Sequence, residues 1–166
     1  MKKRLFLSVV VVLLCAFTLA AESFTIVRLN SKQVSTKATD FIMKELKNSS
    51  LPFSATAIKG FDKLTGDEKV VVILNTGLKS GINPEIQQFI KASTDRSPFI
   101  IVNIYSVGNE VFVKITPASE SPFGVDEISA ASKWKNPGLF GGSNPNYDMH
   151  KEWTKELFAI IEEKLR

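Results

Sequence analysis

The chain alternates between short, almost wholly apolar runs and longer segments in which apolar residues recur every three or four positions. The short runs are rich in β-branched residues and predict strands, whereas the longer segments predict amphipathic helices. The predicted strands cover residues 24–29, 54–58, 69–74 and 98–105, and the predicted helices cover 35–46, 84–91 and 149–165. Ser35 is the expected N-cap of the first helix, and Pro84 suits the first turn of the second.

Strands that alternate with helices predict an α/β fold with right-handed crossovers. We expect a three-layer sandwich around a mostly parallel, doubly wound sheet. Residues 98–105 and 111–116 are joined by too few residues for a helix, and Gly108-Asn109 lies between them. This spacing predicts a hairpin, with 111–116 as an antiparallel edge strand paired to 98–105. A short helix is expected over 125–134, followed by a glycine-rich loop.

The first 20 residues have the pattern of a secretory signal. Three basic residues at positions 2–4 precede an apolar run, and small residues follow it. We expect cleavage after Ala20, which leaves residues 21–166 as a single domain in a bacterial periplasm or secreted, without membrane insertion. An uncleaved anchor is one alternative. A lipoprotein acylated at Cys15 is another, but Leu14 stands where a small residue is usual.

Composition excludes several kinds of chemistry from the expected mature chain. Cys15 is the only cysteine and lies in the signal, so disulfides, thiol nucleophiles and cysteine-ligated metals are excluded. The whole chain carries a formal charge of +4, but three positive charges leave with the signal, so that 18 basic residues face 17 acidic ones. This balance does not favour nucleic-acid binding. His150 is the only histidine, which argues against catalysis by a serine–histidine or metal–histidine site.

Two segments of the predicted sheet resemble flavodoxins. Residues 30–36 read Asn-Ser-Lys-Gln-Val-Ser-Thr after the first strand, and residues 73–84 read Ile-Leu-Asn-Thr-Gly-Leu-Lys-Ser-Gly-Ile-Asn-Pro. In that family a hydroxyl-rich Thr-Gly loop holds the phosphate of FMN at a helix N-terminus. The resemblance implies a flavodoxin-like fold, an FMN cofactor and a redox partner protein. The residues that it places at the FMN are Ser31, Ser35, Thr36, Thr76 and Gly77. Val34 departs from the family's glycine, and Lys79 stands near its flavin-stacking aromatic.

Residues 125–132, Val-Asp-Glu-Ile-Ser-Ala-Ala-Ser, resemble the attachment motif of exported FMN-binding domains. In those domains a transferase joins FMN to the last hydroxyl through a phosphoester. The resemblance implies that Ser132 accepts FMN, with Asp126 and Ser129 as the other polar motif residues. The residues also allow a simpler interpretation, in which Asp126 caps a short helix and Ile128 packs in the core.

Together these features predict an exported, monomeric flavodoxin-like protein that binds FMN and takes part in electron transfer. The alternative is a cofactor-free module that binds a ligand or a protein on the same fold. Such a module would use the crevice at the carboxyl ends of the strands or the glycine-rich loop at 136–145.

Overall fold

A computed structural model describes residues 22–29, 33–76, 81–105, 112–131 and 145–166. Within these ranges the strands are β1 (Glu22–Arg28), β2 (Phe53–Lys59), β3 (Val71–Thr76), β4 (Phe99–Tyr105), β5 (Phe112–Thr116) and β6 (Asp126–Ala131). The helices are α1 (Gln33–Asn48), α2 (Pro84–Ala92) and α3 (Pro145–Leu165), and a short 3-10 turn covers Phe61–Lys63. The expected signal, Ser31, Gly77, Lys79, the Gly108–Asn109 turn, Ser132 and most of the glycine-rich loop lie outside the described residues.

The six strands form one mostly parallel sheet in the order β2-β1-β3-β4-β6-β5. β5 is the exception, because it runs antiparallel to β6 at the edge of the sheet. The predicted α/β class is therefore confirmed, as are the first four strands and the three main helices. The last helix begins at Pro145, four residues earlier than its predicted start.

The predicted hairpin between the fourth strand and 111–116 is wrong. β4 pairs in parallel with β6, so that β6 lies between β4 and β5. The helix expected over 125–134 is also wrong, since Asp126–Ala131 is a strand. Its side chains alternate at period two: Ile128 and Ala130 are buried on one face, while Glu127 and Ser129 lie on the other. The sequence interpretation had instead taken Asp126 for the cap of a helix.

Apolar side chains cover both faces of the sheet, as the predicted three-layer arrangement requires. On one face, α1 and α3 bring Ile42 and Trp153 against Ile26, and all three are completely buried. On the other face, α2 packs Ile86 against the face that carries Ile73. Because β3 and β4 are covered on both sides, nearly every residue of these strands is buried, which explains their continuous apolar runs.

The two helices that follow parallel strands begin in different ways. Asn83 caps α2 by accepting a hydrogen bond from Glu85 N at 2.9 Å, with Pro84 at the first helical position. α1 begins at Gln33, so the prediction that Ser35 is its N-cap is wrong. Ser35 instead lies in the first turn with its side chain almost completely buried. Both helices start at the carboxyl edge of the sheet, where the candidate site lies.

Candidate functional site

The carboxyl edge of the sheet has a point where the strand order reverses. β2 lies on one side of β1, whereas β3, β4 and β6 follow on the other side. Neighbouring connections leave the sheet in opposite directions at such a point and open a crevice, which is where open α/β sheets bind ligands. Here the crevice lies between the ends of β1 and β3, with α1 starting on one face and α2 on the other.

Arg28 ends β1 at this crevice and is its most unusual side chain. Its Nη1 donates to Thr36 Oγ1 at 3.5 Å, a long hydrogen bond. Its Nε is buried and has no hydrogen-bond partner. Leaving a buried charged donor unsatisfied is costly, by about 1–3 kcal/mol or more. The arrangement therefore favours an acceptor that comes from outside the described residues. Sequence reasoning missed Arg28, although a charged residue at the end of a buried strand was the available signal.

The surroundings of Arg28 are positively charged. Strand register pairs it with Lys59 at the end of β2, and register partners point to the same face of a sheet. α1 carries no acidic residue in its first turn, where the helix dipole adds a partial positive charge. Among the described residues, the ion pairs involve other side chains and neutralise neither Arg28 nor Lys59. We call the part of the crevice formed by Arg28, Lys59 and the first turn of α1 the corner; its positive charge allows it to hold an anion.

Three of the residues predicted to bind FMN lie around this corner. Thr36 is in the first turn of α1 and contacts Arg28, and Ser35 precedes it. Thr76 ends β3, two positions beyond Leu74, which pairs with Arg28; Thr76 therefore points to the same face of the sheet. The hydroxyl of Thr36 is the most accessible of the three, since Ser35 and Thr76 are both buried.

The corner fits a phosphate group, but not in the way that flavodoxins hold one. Val34 stands where the family has glycine, and it lies inside α1. Because no described non-glycine residue has a positive φ, the backbone there does not make a glycine-type turn. Among the described residues, the donors at this corner include backbone N–H groups at the start of α1, the Thr36 hydroxyl and the Arg28 guanidinium.

The second flavin-like motif lies elsewhere and has structural partners. Asp126 opens β6, so it lies at the amino edge of the parallel strands, opposite Arg28. Its Oδ1 accepts from Ala118 N at 2.9 Å, and its Oδ2 pairs with Lys164 Nζ at 2.7 Å. The interpretation of Asp126 as a helix cap is wrong, because no helix follows it. The structure thus does not bring Asp126 to the corner that holds Thr36.

Ser129 belongs to a row of polar side chains that crosses the sheet on the α2 face. Register places Asn75 beside Asn103, and Asn103 beside Ser129. Asn75 Nδ2 donates to Asn103 Oδ1 at 2.6 Å, and Asn103 Nδ2 donates to Ser129 Oγ at 3.3 Å and to Glu127 Oε2 at 3.1 Å. Ser121 Oγ donates to the other carboxylate oxygen of Glu127. These polar groups act as hydrogen-bond partners for one another, so we interpret the row as a structural network.

The same network fixes the start of α2 beside the crevice. Asn75 Nδ2 also donates to Gly81 O at 3.0 Å, and Asn75 Oδ1 accepts from Asn83 N at 3.2 Å. One buried amide therefore holds the segment that leads into α2 against the end of β3. Sequence reasoning noted this asparagine only as part of the family resemblance and missed its partners.

A separate groove of about 360 Å³ lies between the end of α1 and the outer part of α3. Its floor includes Leu51 and Phe158, while its walls carry charges of both signs, such as Glu45 and Lys155. This mixed lining does not favour one class of ligand. Within the part of the chain that the structure describes, no helix is long and apolar enough to cross a membrane, and no cluster of histidine or acidic residues is arranged to hold a metal ion.

No protein-family model, no curated protein and no solved structure matches the chain.

Proposed function

We propose that the protein is an exported flavodoxin-like electron-transfer protein that binds FMN non-covalently at the corner between β1, β3 and α1. The observation that carries the proposal is the buried, unpartnered Nε of Arg28 at the point where the strand order reverses. The five parallel strands follow the order β2-β1-β3-β4-β6, and flavodoxins have the same reversal between their first and third strands. In those proteins the reversal is the FMN site.

The side chains at the corner have distinct roles in this proposal. The first turn of α1 and the Thr36 hydroxyl donate hydrogen bonds to the phosphate, and Arg28 neutralises its charge. Asn75 holds the start of α2 in place and so fixes the opposite wall of the crevice. The flavin, when bound, supplies one- and two-electron transfer to a redox partner protein. The chain binds the flavin, orients it and limits its contact with water.

Export is the second part of the proposal and has its own test. The basic and apolar pattern of the first 20 residues supports a cleaved signal. The intact mass of protein recovered from the cell envelope or medium is expected to correspond to a chain that begins at Ala21. A chain that begins at an acylated Cys15 would instead establish a lipoprotein.

The flavin is tested by the absorption spectrum of the natively exported protein, followed by titration of the apoprotein with FMN. We expect a bound-flavin spectrum, quenched FMN fluorescence and a one-to-one stoichiometry. Thr36→Val should weaken FMN binding because it removes a phosphate donor. Thr56→Val is a matched control, since Thr56 is exposed in the middle of β2. A colourless protein that leaves FMN fluorescence unchanged at micromolar concentration would contradict the proposal.

A cofactor-free binding module is the second candidate, and the position of Val34 favours it. Val34 is helical where flavodoxins use glycine, and residues 30–36 contain no glycine that could form the family's usual phosphate turn. On this hypothesis the same positive corner binds another anionic ligand. The FMN titration separates the two functions, because a module of this kind gives no flavin signal. Covalent attachment at Ser132 is a third possibility, tested by the mass of the peptide spanning 123–133 after co-expression with an envelope flavin transferase.

A further inference from the structure

We infer that the corner selects a ligand that ends in a phosphomonoester dianion, and that Arg28, assisted by Lys59, is the group that recognises it. The inference deepens the proposed function, on which it rests for the location of the site. It also names a chemical class, since FMN ends in a phosphomonoester whereas riboflavin has no phosphate.

The first argument is the number of donors that Arg28 leaves unused. A guanidinium has five N–H donors in one plane, arranged to meet two oxygens of a phosphate or carboxylate at once. In this structure a single long bond to Thr36 engages Nη1, and the buried Nε has no partner. The other described arginines are engaged: Arg96 donates to Phe123 O at 3.2 Å, and Arg166 pairs with Glu162 at 2.8 Å.

The second argument is the absence of a competing anion among the described residues. Neither Arg28 nor Lys59 belongs to an ion pair there, and the first turn of α1 holds no acidic residue. Two cations on neighbouring strands repel each other unless a counter-charge lies between them. A group with two negative charges balances both, whereas a neutral hydroxyl or a singly charged group leaves one cation uncompensated.

The third argument concerns what replaces the missing glycine turn. A glycine-containing loop wraps a phosphate with several backbone N–H groups that carry no full charge. The described backbone beside Arg28 begins with α1 at Gln33, and residues 30–36 contain no glycine. Arg28 supplies a full positive charge, which backbone N–H groups do not carry. Recognition therefore depends on charge, and affinity should fall as salt is added.

Arg28→Gln and Arg28→Lys test the inference, with Arg96→Gln as the control for loss of an arginine that is already engaged. Each variant is titrated with FMN, riboflavin and inorganic phosphate at neutral pH and at two salt concentrations. We expect the native chain to bind FMN more tightly than riboflavin. Arg28→Gln should lose roughly ten- to a hundredfold in FMN affinity and in phosphate affinity, while riboflavin binding stays unchanged. Arg28→Lys should recover part of the loss, because it restores charge without the planar donor pair.

Thermal unfolding without ligand separates recognition from a structural role. Removing a partly buried guanidinium whose Nε has no partner should leave the ligand-free Arg28→Gln protein about as stable as the native chain or more so. A structural arginine would instead destabilise the fold in the absence of any ligand. A large loss of stability in ligand-free Arg28→Gln would therefore overturn the inference.

The outcomes also distinguish this inference from the proposed function. If FMN binds but Arg28→Gln keeps the native preference for FMN over riboflavin, the inference about Arg28 is wrong and the proposal of an FMN-binding protein is supported. A second outcome is that no flavin binds, but inorganic phosphate binds and Arg28→Gln abolishes that binding. The proposal of an FMN-binding protein is then wrong, and the inference of a phosphomonoester site is supported. If neither FMN nor phosphate binds to the native chain, the inference is overturned.

Discussion

Lys164 Nζ lies 2.7 Å from Asp126 Oδ2, and this ion pair joins the C-terminal helix to the first residue of β6. Both side chains are largely shielded from water, with exposed fractions of 18% and 19%. Lys164 also donates to Ser97 O at 2.8 Å, and Asp126 also accepts from Ala118 N. One pair of charges thus holds α3, β6 and the segments next to β4 and β5 together.

Replacing Lys164 with Met should lower the free energy of unfolding by about 1–3 kcal/mol, because Asp126 would remain charged and partly buried without its partner. Arg166→Met is the control, since the Arg166–Glu162 pair is exposed and should contribute less than about 0.5 kcal/mol. Urea unfolding at neutral pH measures both values. Equal losses of unfolding free energy in the two variants would show that the burial of the Lys164–Asp126 pair does not increase its contribution to stability.

Asn103 should be the most sensitive polar residue of the sheet. It is completely buried and joins Asn75 to Glu127 and Ser129. Asn103→Ala should cost about 2–4 kcal/mol, because it removes one hydrogen-bond partner each from Asn75, Glu127 and Ser129 on the two neighbouring strands. Gln88→Ala, on the exposed face of α2, is a matched loss of an amide and should be close to neutral.

A double-mutant cycle then tests whether the row acts as one network. Asn103→Ala and Glu127→Ala should together cost less than the sum of their separate effects, since each removes the other's partner. Additive free energies of unfolding would contradict a shared network.

Gly60 should tolerate alanine poorly because its φ is +83°. It ends β2, and its N–H donates to Arg28 O at 2.9 Å, so the turn is fixed beside the candidate site. A Cβ there would also lie 2.5 Å from Asp62 Oδ1, although this exposed side chain can rotate away. The φ of 83° and ψ of 157° at Gly60 lie in a region that is essentially restricted to glycine, so we expect Gly60→Ala to cost about 1–3 kcal/mol.

Gly66→Ala separates the conformational cost of a positive φ from the cost of the contact with Asp62. Gly66 has φ +91° but nothing within 4 Å of an added Cβ, so its cost is conformational alone. If the Asp62 contact matters, Gly60→Ala should be the more destabilising variant, and Asp62→Ala should remove the difference. A neutral Gly60→Ala would contradict the strain argument.

Local signals in the sequence account for most of the elements. The run 69–74, uniformly apolar after Lys69, predicts a central strand, which the structure places between β1 and β4. Asn83-Pro84 marks the start of α2 correctly because a cap and a first-turn proline act within a few residues.

The errors concern information that only the folded sheet contains. β6 was interpreted as a helix because Asp126 was taken for a helix cap, whereas the partner of Glu127 and Ser129 is Asn103, which is distant in the sequence. A single sequence does not reveal such partners. The hairpin failed for a related reason, since the Gly108-Asn109 signal is local and gives no sign that a later strand inserts beside β4. Arg28 was overlooked because its missing partner depends on how α1 packs against β1.

Glu68 should make the stability of the turn at 65–68 depend on pH. Burial of its carboxyl group raises the pKa. Hydrogen bonds from the backbone and side chain of Thr65 and from the N–H of Gly66 lower the pKa by more than burial raises it, so that it lies below its ordinary value. A carboxyl group whose pKa is lowered by folding stabilises the fold at pH values above its unfolded pKa, about 4.3 for glutamate. That contribution is lost as the pH falls through the lower, folded pKa.

Glu68→Gln should therefore be less stable than the native chain at pH 7, and the difference should shrink from about pH 5 downwards, as the carboxylate of the native chain becomes protonated. Glu120→Gln removes the same charge from an exposed position and controls for net charge. Urea unfolding at several pH values measures the difference, and the carbon chemical shift of the Glu68 carboxyl group gives its pKa directly. A Glu68 pKa at or above the ordinary value would contradict the argument. So would a Glu68→Gln effect that is as large at pH 3 as at pH 7, because an interaction that needs the carboxylate cannot survive its protonation.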